Sequence, residues 1–70
     1  METMARGVVI GDKLRELRDR RLLTQEDLAQ RSGVHYTTIS KIERGGSARP
    51  STVRKLAAAL EVDPTELLVE

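Results

Sequence analysis

QEDLAQRSGVHYTTISKIER, residues 25–44, is the stretch that decides the fold. It holds two short helical patterns parted by a turn that contains one glycine, Gly33. Leu28, Ala29, Val34, Ile39 and Ile42 recur at the spacing that lets two crossed helices share an apolar contact. Ala29 and Gly33 are small where such helices come closest. With the apolar side turned inward, the outer face of the second helix carries Tyr36, Thr37, Ser40, Lys41 and Arg44. That face is polar and basic, and it suits the base edges and phosphates of duplex DNA, whose major groove admits a helix.

Upstream, Leu14 and Leu17 mark the inner face of a first helix running from Gly11 or Asp12 to Arg21, with Asp12 suited to its N-terminus. Leu23 packs in the bend that follows. Thr24 is a good N-cap for the second helix, and Asp27, three residues on, is a short capping-box partner. That helix ends near Arg31 or Ser32, where Gly33 supplies the left-handed residue. The third helix spans about Tyr36 to Arg44 and stops at Gly45-Gly46. Gly46 to Pro50 reads as a loop. Ser51 caps a fourth helix that turns Val53, Leu56, Ala57 and Leu60 inward. Asp63-Pro64 opens a fifth, with Glu66 in its first turn and Leu67 and Leu68 buried. The expectation is a compact all-α domain of five short helices over residues 11–70. An arm, residues 1–10, precedes it, and the Val8-Val9-Ile10 end of that arm tucks against the core. None of these helices is long enough to be stable alone, so shared burial must hold them.

Composition sets the bounds. Seventy residues allow one small domain, which buries only about 60% of its unfolded surface. Tyr36 is the single aromatic residue, so the core is aliphatic. Leu- and Ala-rich chains with many charges favour helix over sheet. The absence of cysteine removes disulfides and thiolate chemistry and fits a reducing cytosol. His35 is the lone histidine and has no neighbours with which to hold a metal. No signal peptide or membrane-spanning run is present, so a soluble, cytoplasmic protein is expected. An enzyme has no support, and no cofactor is expected: there is no glycine-rich phosphate loop and no carboxylate cluster with a plausible pocket.

The net charge of +1 hides an asymmetry. Between Arg31 and Lys55 six basic residues face one acid, Glu43, whereas Leu56 to Glu70 holds four acids and no base. Such a distribution turns the middle of the chain toward an anionic polymer and the tail away. The bland alternative is a mixed, solvated surface.

Taken together, LRELR (14–18), LTQEDLA (23–29), SGV (32–34), TISKIERG (38–45), RPS (49–51) and KLAAALEVDPTELL (55–68) resemble the Cro/CI-type, or XRE-family, helix-turn-helix domain over nearly the whole chain. The resemblance implies a lambda-repressor-like fold whose third helix enters the major groove. It implies base contacts from Tyr36, Thr37 and Lys41, with Ser40 on the same face. It implies backbone contacts from Gln25, which also buttresses the third helix, and from Arg44, Gly45, Ser47 and Arg49. It also implies a partly buried ion pair between Arg18 and Glu43 that fixes helix packing. The chain departs from the family pattern at Leu22 and Glu61, in bends where glycine is frequent and a side chain is strained. It departs again at His35, a poor cap where Ser, Thr or Asp is usual, and at Tyr36, bulkier than the common residue.

For the residues themselves alternatives stay open. Lys41 can donate to guanine O6 or N7, or serve a phosphate. Thr37 and Ser40 can donate or accept. Tyr36 can reach a phosphate or a thymine methyl, or simply cover apolar surface. His35 is structural or a backbone contact, and its titration offers a way to modulate binding. Arg15, Arg20, Arg21 and Arg31 are solvated or paired with acids such as Glu16 and Asp19. One domain makes few contacts, so a homodimer on a pseudo-palindromic operator is expected. Its candidate surfaces are Leu67, Leu68 and Val69 and the Val8-Val9-Ile10 arm. The leading function is a sequence-specific double-stranded DNA-binding transcriptional regulator, a repressor. The competing readings are an antitoxin or other protein-partner-binding module on the same fold, and a restriction–modification controller.

Overall fold

Short-range chemistry sets the element boundaries in the computed structural model, which describes residues 7–68. Residues 1–6 of the expected arm, and Val69, lie outside the described residues. The chain runs β1 (Val8–Val9), α1 (Gly11–Arg20), α2 (Gln25–Ser32), α3 (Tyr36–Glu43), β2 (Ser47–Ala48), α4 (Pro50–Leu60) and a 3-10 helix, Pro64–Leu68. Thr24 Oγ1 accepts the Asp27 amide while the Asp27 carboxylate accepts the Thr24 amide, a reciprocal capping box that starts α2. Those bonds to Thr24 hold the Asp27 carboxyl below its ordinary range. Gly33 ends α2 at φ 78°.

Most of the mass is helical, and the core is aliphatic. Leu14, Leu28, Ile39, Ile42, Leu56, Leu60 and Leu67 are the large side chains wholly removed from water. They come from α1, α2, α3, α4 and the 3-10 helix, so each short helix is held by the others.

Several expectations change. The fifth helix is 3-10 rather than α. Its tighter winding buries Leu67 at 1% exposure and leaves Leu68 at 49%. The stretch after Gly46 is not all loop: Val8 pairs with Ala48 and Val9 with Ser47 in an antiparallel two-stranded sheet. Ile10, next along, is buried in the core. Ser51 does not cap α4. Arg49 is the N-cap residue, and Pro50 stands at the first helical position, where its missing N–H leaves nothing unsatisfied. Gly33 is not a close-approach residue, since a methyl group there would meet nothing within 4 Å. The tight approach is at Gly11, where a methyl group would collide with the Ile42 carbonyl oxygen and stand 3.1 Å from Glu43 Cα. Leu22 and Glu61 keep left-handed backbone, φ 57° and 61°, so the bends hold their shape without glycine.

Candidate nucleic-acid interface

The inward side of α3 is strongly determined. Ile39 and Ile42 are fully buried, and Glu43 follows them inward at 5% exposure. Helical geometry then turns Thr37, Lys41 and Arg44 to the opposite side. Tyr36, Thr37, Lys41 and Arg44 are exposed, and Ser40 is half-buried at the edge of the same face. Thr38, also exposed, looks toward β2. It shares a groove with Lys41, Ser47, Arg49 and Thr52, floored by Ile42 and Ala48. The sequence reading passed over Thr38 and Thr52. Thr38 opens the TISKIERG stretch but falls off the strip that the apolar spacing turns outward, and Thr52 lies in no recognisable local pattern; only the return of the chain through β2 brings α4 beside Lys41. Gly45, at φ 111°, and the exposed Ser47 and Arg49 continue the surface beyond the helix.

Glu43 is the hub behind this face. Arg18 Nε donates to its Oε2 at 2.8 Å and Arg18 Nη2 to its Oε1 at 3.1 Å. Gln25 Nε2 donates to the same Oε1 at 3.0 Å. Arg18 Nη1 also donates to the Leu23 carbonyl at 2.7 Å, tying the bend into the cluster. Burial works against the Glu43 charge, but the Arg18 and Gln25 hydrogen bonds, aided by the charges of Arg18 and Arg15, outweigh it and hold the carboxyl below its ordinary value. The hydrogen bond to Glu43 raises Arg18 above its own ordinary value despite desolvation. One carboxylate thus joins α1, the first residue of α2 and the last of α3. Gln25, half-buried, has its amide fixed at that crossing.

The sequence leaves Arg15 either solvated or paired with an acid at helical spacing. Instead its Nη2 donates to the Glu43 carbonyl at 3.2 Å, closing the C-terminal end of α3. Arg20 does pair along α1, with Glu16 at 2.6 Å, and Arg21 reaches Glu61 at 3.4 Å.

His35 caps α3 after all. Its Nδ1 accepts the Thr37 amide at 3.2 Å and lies 2.8 Å from Thr37 Oγ1. The ring also stacks on Tyr36, with centroids 5.6 Å apart. Imidazole is seldom chosen as a cap, so residue-type preference alone could not reveal it. Among the described residues no group of three or more His, Cys, Asp or Glu is placed to hold a metal, and no helix is long and apolar enough to cross a membrane.

Known proteins resemble this chain in sequence and in fold. The helix-turn-helix family model matches residues 14–67. An uncharacterized HTH-type transcriptional regulator of Bacillus subtilis, RghRB, is 50% identical over 60 residues, covering 83% of this chain and 43% of that protein. The HTH-type transcriptional repressor RghR of the same organism is 48% identical over 54 residues, covering 74% of this chain and 40% of the repressor. The chain therefore spans less than half the length of these curated relatives. The crystal structure of the restriction-modification controller protein C.AhdI from Aeromonas hydrophila superposes with a TM-score of 0.80 at 41% identity, covering 86% of this chain and 92% of the controller. With a matched model over most of its length and a like-folded relative covered almost end to end, this chain belongs to the XRE-type helix-turn-helix family.

Proposed function

We propose that the chain binds double-stranded DNA sequence-selectively as a transcriptional regulator, acting as a repressor. In this reading α3 lies in the major groove, with Tyr36, Thr37, Ser40 and Lys41 at base edges. Gln25, His35, Arg44, Gly45, Ser47 and Arg49 contact the sugar–phosphate backbone, and the hydroxyls of Thr38 and Thr52 line the path of the strand between Lys41 and Arg49. The observation that carries the reading is the exposed polar and basic strip on α3, backed by a fully buried opposite side. The relatives' description as transcriptional regulators supports it.

The active form in this proposal is a homodimer on a pseudo-palindrome. Val8, Pro50, Val53, Arg54, Pro64 and Leu68 line one largely apolar groove, which takes one residue, Val8 or Leu68, from each of the two surfaces considered from sequence, while Ile10 and Leu67 are buried in the core. The likeness to the Aeromonas hydrophila controller, at 41% identity and a TM-score of 0.80, supports a narrower form of the proposal, control of a restriction–modification system from an operator beside the gene.

Selection of bound sites from a random duplex pool, followed by gel shift and sizing, tests the proposal. Lys41→Ala is expected to relax selectivity at one position per half-site. Arg44→Ala is expected to weaken binding to every sequence and to reduce the salt slope by about 1. Parent-like binding by both variants refutes the assignment of this face.

A further inference from the structure

At the start of α3 a single imidazole touches both of the residues that lead the exposed strip. Its contacts fix where hydrogens sit. A backbone N–H can only donate, so the Thr37 amide bond requires a bare lone pair on His35 Nδ1, and the neutral ring carries its hydrogen on Nε2. The 2.8 Å contact between that same Nδ1 and Thr37 Oγ1 takes its direction from the tautomer, and in the Nε2–H form that the amide bond selects it is the hydroxyl that donates. Thr37 directs its only side-chain hydrogen inward, and what it offers outward is the oxygen lone pairs.

We infer that His35 is a positioning residue that sets the hydrogen-bonding polarity of Thr37. With the ring neutral, Thr37 meets DNA as an acceptor and selects a base that shows an exocyclic amine in the major groove, adenine N6 or cytosine N4. With the ring protonated, Nδ1 donates to Oγ1, the hydroxyl hydrogen turns outward, and the preference passes to guanine or thymine, which show acceptors there. This inference rests on the proposed reading of α3 as the base-reading helix.

The surroundings of the ring bear on the switch. Its groove is lined by Glu26, Ala29 and Gln30 from α2 and by Tyr36 from α3. Glu26 is the charged group facing it from α2. Protonation also removes the acceptor of the Thr37 amide, so total affinity shifts along with preference. The discriminating quantity is therefore base identity at one step, which a purely structural cap does not alter.

The experiment is pool selection at about pH 8 and about pH 5.5, which bracket the ordinary range of imidazole titration. It uses the parent chain, His35→Asn and Thr37→Val. The parent is expected to prefer A or C at one position per half-site at the higher pH and G or T at the lower. The swing is roughly 3- to 10-fold, the worth of one ordinary hydrogen bond. His35→Asn, whose amide oxygen caps and accepts at both pH values, should keep A or C throughout, and Thr37→Val should lose the preference at that position alone. A parent preference that does not move with pH, or an Asn variant that switches like the parent, overturns the inference while leaving α3 as the reading helix. A pool that yields no selected sequence at either pH overturns the DNA reading, and this inference with it.

Discussion

Replacing Glu43 by alanine tests whether one charged residue fixes the crossing of three helices. The carboxylate is 5% exposed and accepts three hydrogen bonds, two from Arg18 and one from Gln25. Truncation leaves the Arg18 guanidinium, on a side chain only 13% exposed, with no opposite charge but the exposed Asp19 at 3.5 Å, and the Gln25 amide without its acceptor. Removing one partner of a buried pair costs about 3–5 kcal/mol. A chain of this length has a total stability of about 4–10 kcal/mol, so Glu43→Ala stands near the unfolding threshold. Urea melts followed by helical circular dichroism should show the loss as a shifted midpoint with an unchanged slope. Thermal melts should fall by at least about 12 °C, at about 4–8 °C per kcal/mol for a domain of this size. The double variant Arg18→Met, Glu43→Leu removes both charges along with their desolvation and should recover most of the loss. A Glu43→Ala deficit under about 1 kcal/mol, the worth of an exposed ion pair, would refute the reasoning. The α1–α3 crossing would then be held by apolar packing alone.

Acid should weaken the fold through the same group. The Glu43 carboxyl lies below the usual glutamate value of 4.5 in the folded chain, so its contribution is complete above that value and is lost as pH falls through the folded one. Glu43→Gln should flatten that limb of a stability-against-pH curve. Leu22→Gly should stabilise: it relieves a left-handed side chain that is 90% exposed and loses no packing. Set against the added freedom of the unfolded chain, the net gain in a urea melt is up to about 1 kcal/mol. Gly11→Ala should cost more than Gly33→Ala in the same assay. The first forces α1 away from the end of α3, a clash worth about 1–3 kcal/mol, whereas the second meets open space and carries only backbone strain of about 1 kcal/mol. Thr24→Ala should lose about 1 kcal/mol with its cap.

What the sequence made legible follows the range of each interaction. Thr24, Asp27 and Gly33 bound α2 through contacts within four residues, so their types and spacing were enough. The apolar rhythm of Leu28, Ile39 and Ile42 was enough to find two helices and the side of α3 that turns inward. The β1–β2 pairing was not legible. It joins Val8 to Ala48, and two-residue strands have no periodicity to detect. Leu67 and Leu68 could not be told apart, because the choice between α and 3-10 winding in that last turn decides which one meets the core. The Arg18–Glu43 contact entered only through family resemblance, which also implied that Gln25 buttresses the third helix but not that it does so by donating to Glu43. Three residues far apart in sequence meet there only after α1, α2 and α3 have crossed.

That crossing also explains why the strip on α3 faces outward. An apolar stripe alone tolerates small rotations of a helix, since Ile39 and Ile42 slide against other aliphatic side chains at little expense. Glu43 does not tolerate them: its oxygens must meet Arg18 on α1 and Gln25 on α2 together. Gly11, with backbone against backbone at the end of α3, restricts sliding along the axis. Turning Thr37 and Lys41 inward would carry Glu43 into water and leave Arg18 with only its 3.5 Å contact to the exposed Asp19. The least hydrophobic member of the core thus sets the azimuth of α3, and through it the direction in which the candidate reading residues point. This separates two roles that a hydrophobic ledger alone would merge: aliphatic burial holds the helices together, and the buried carboxylate selects which face they show.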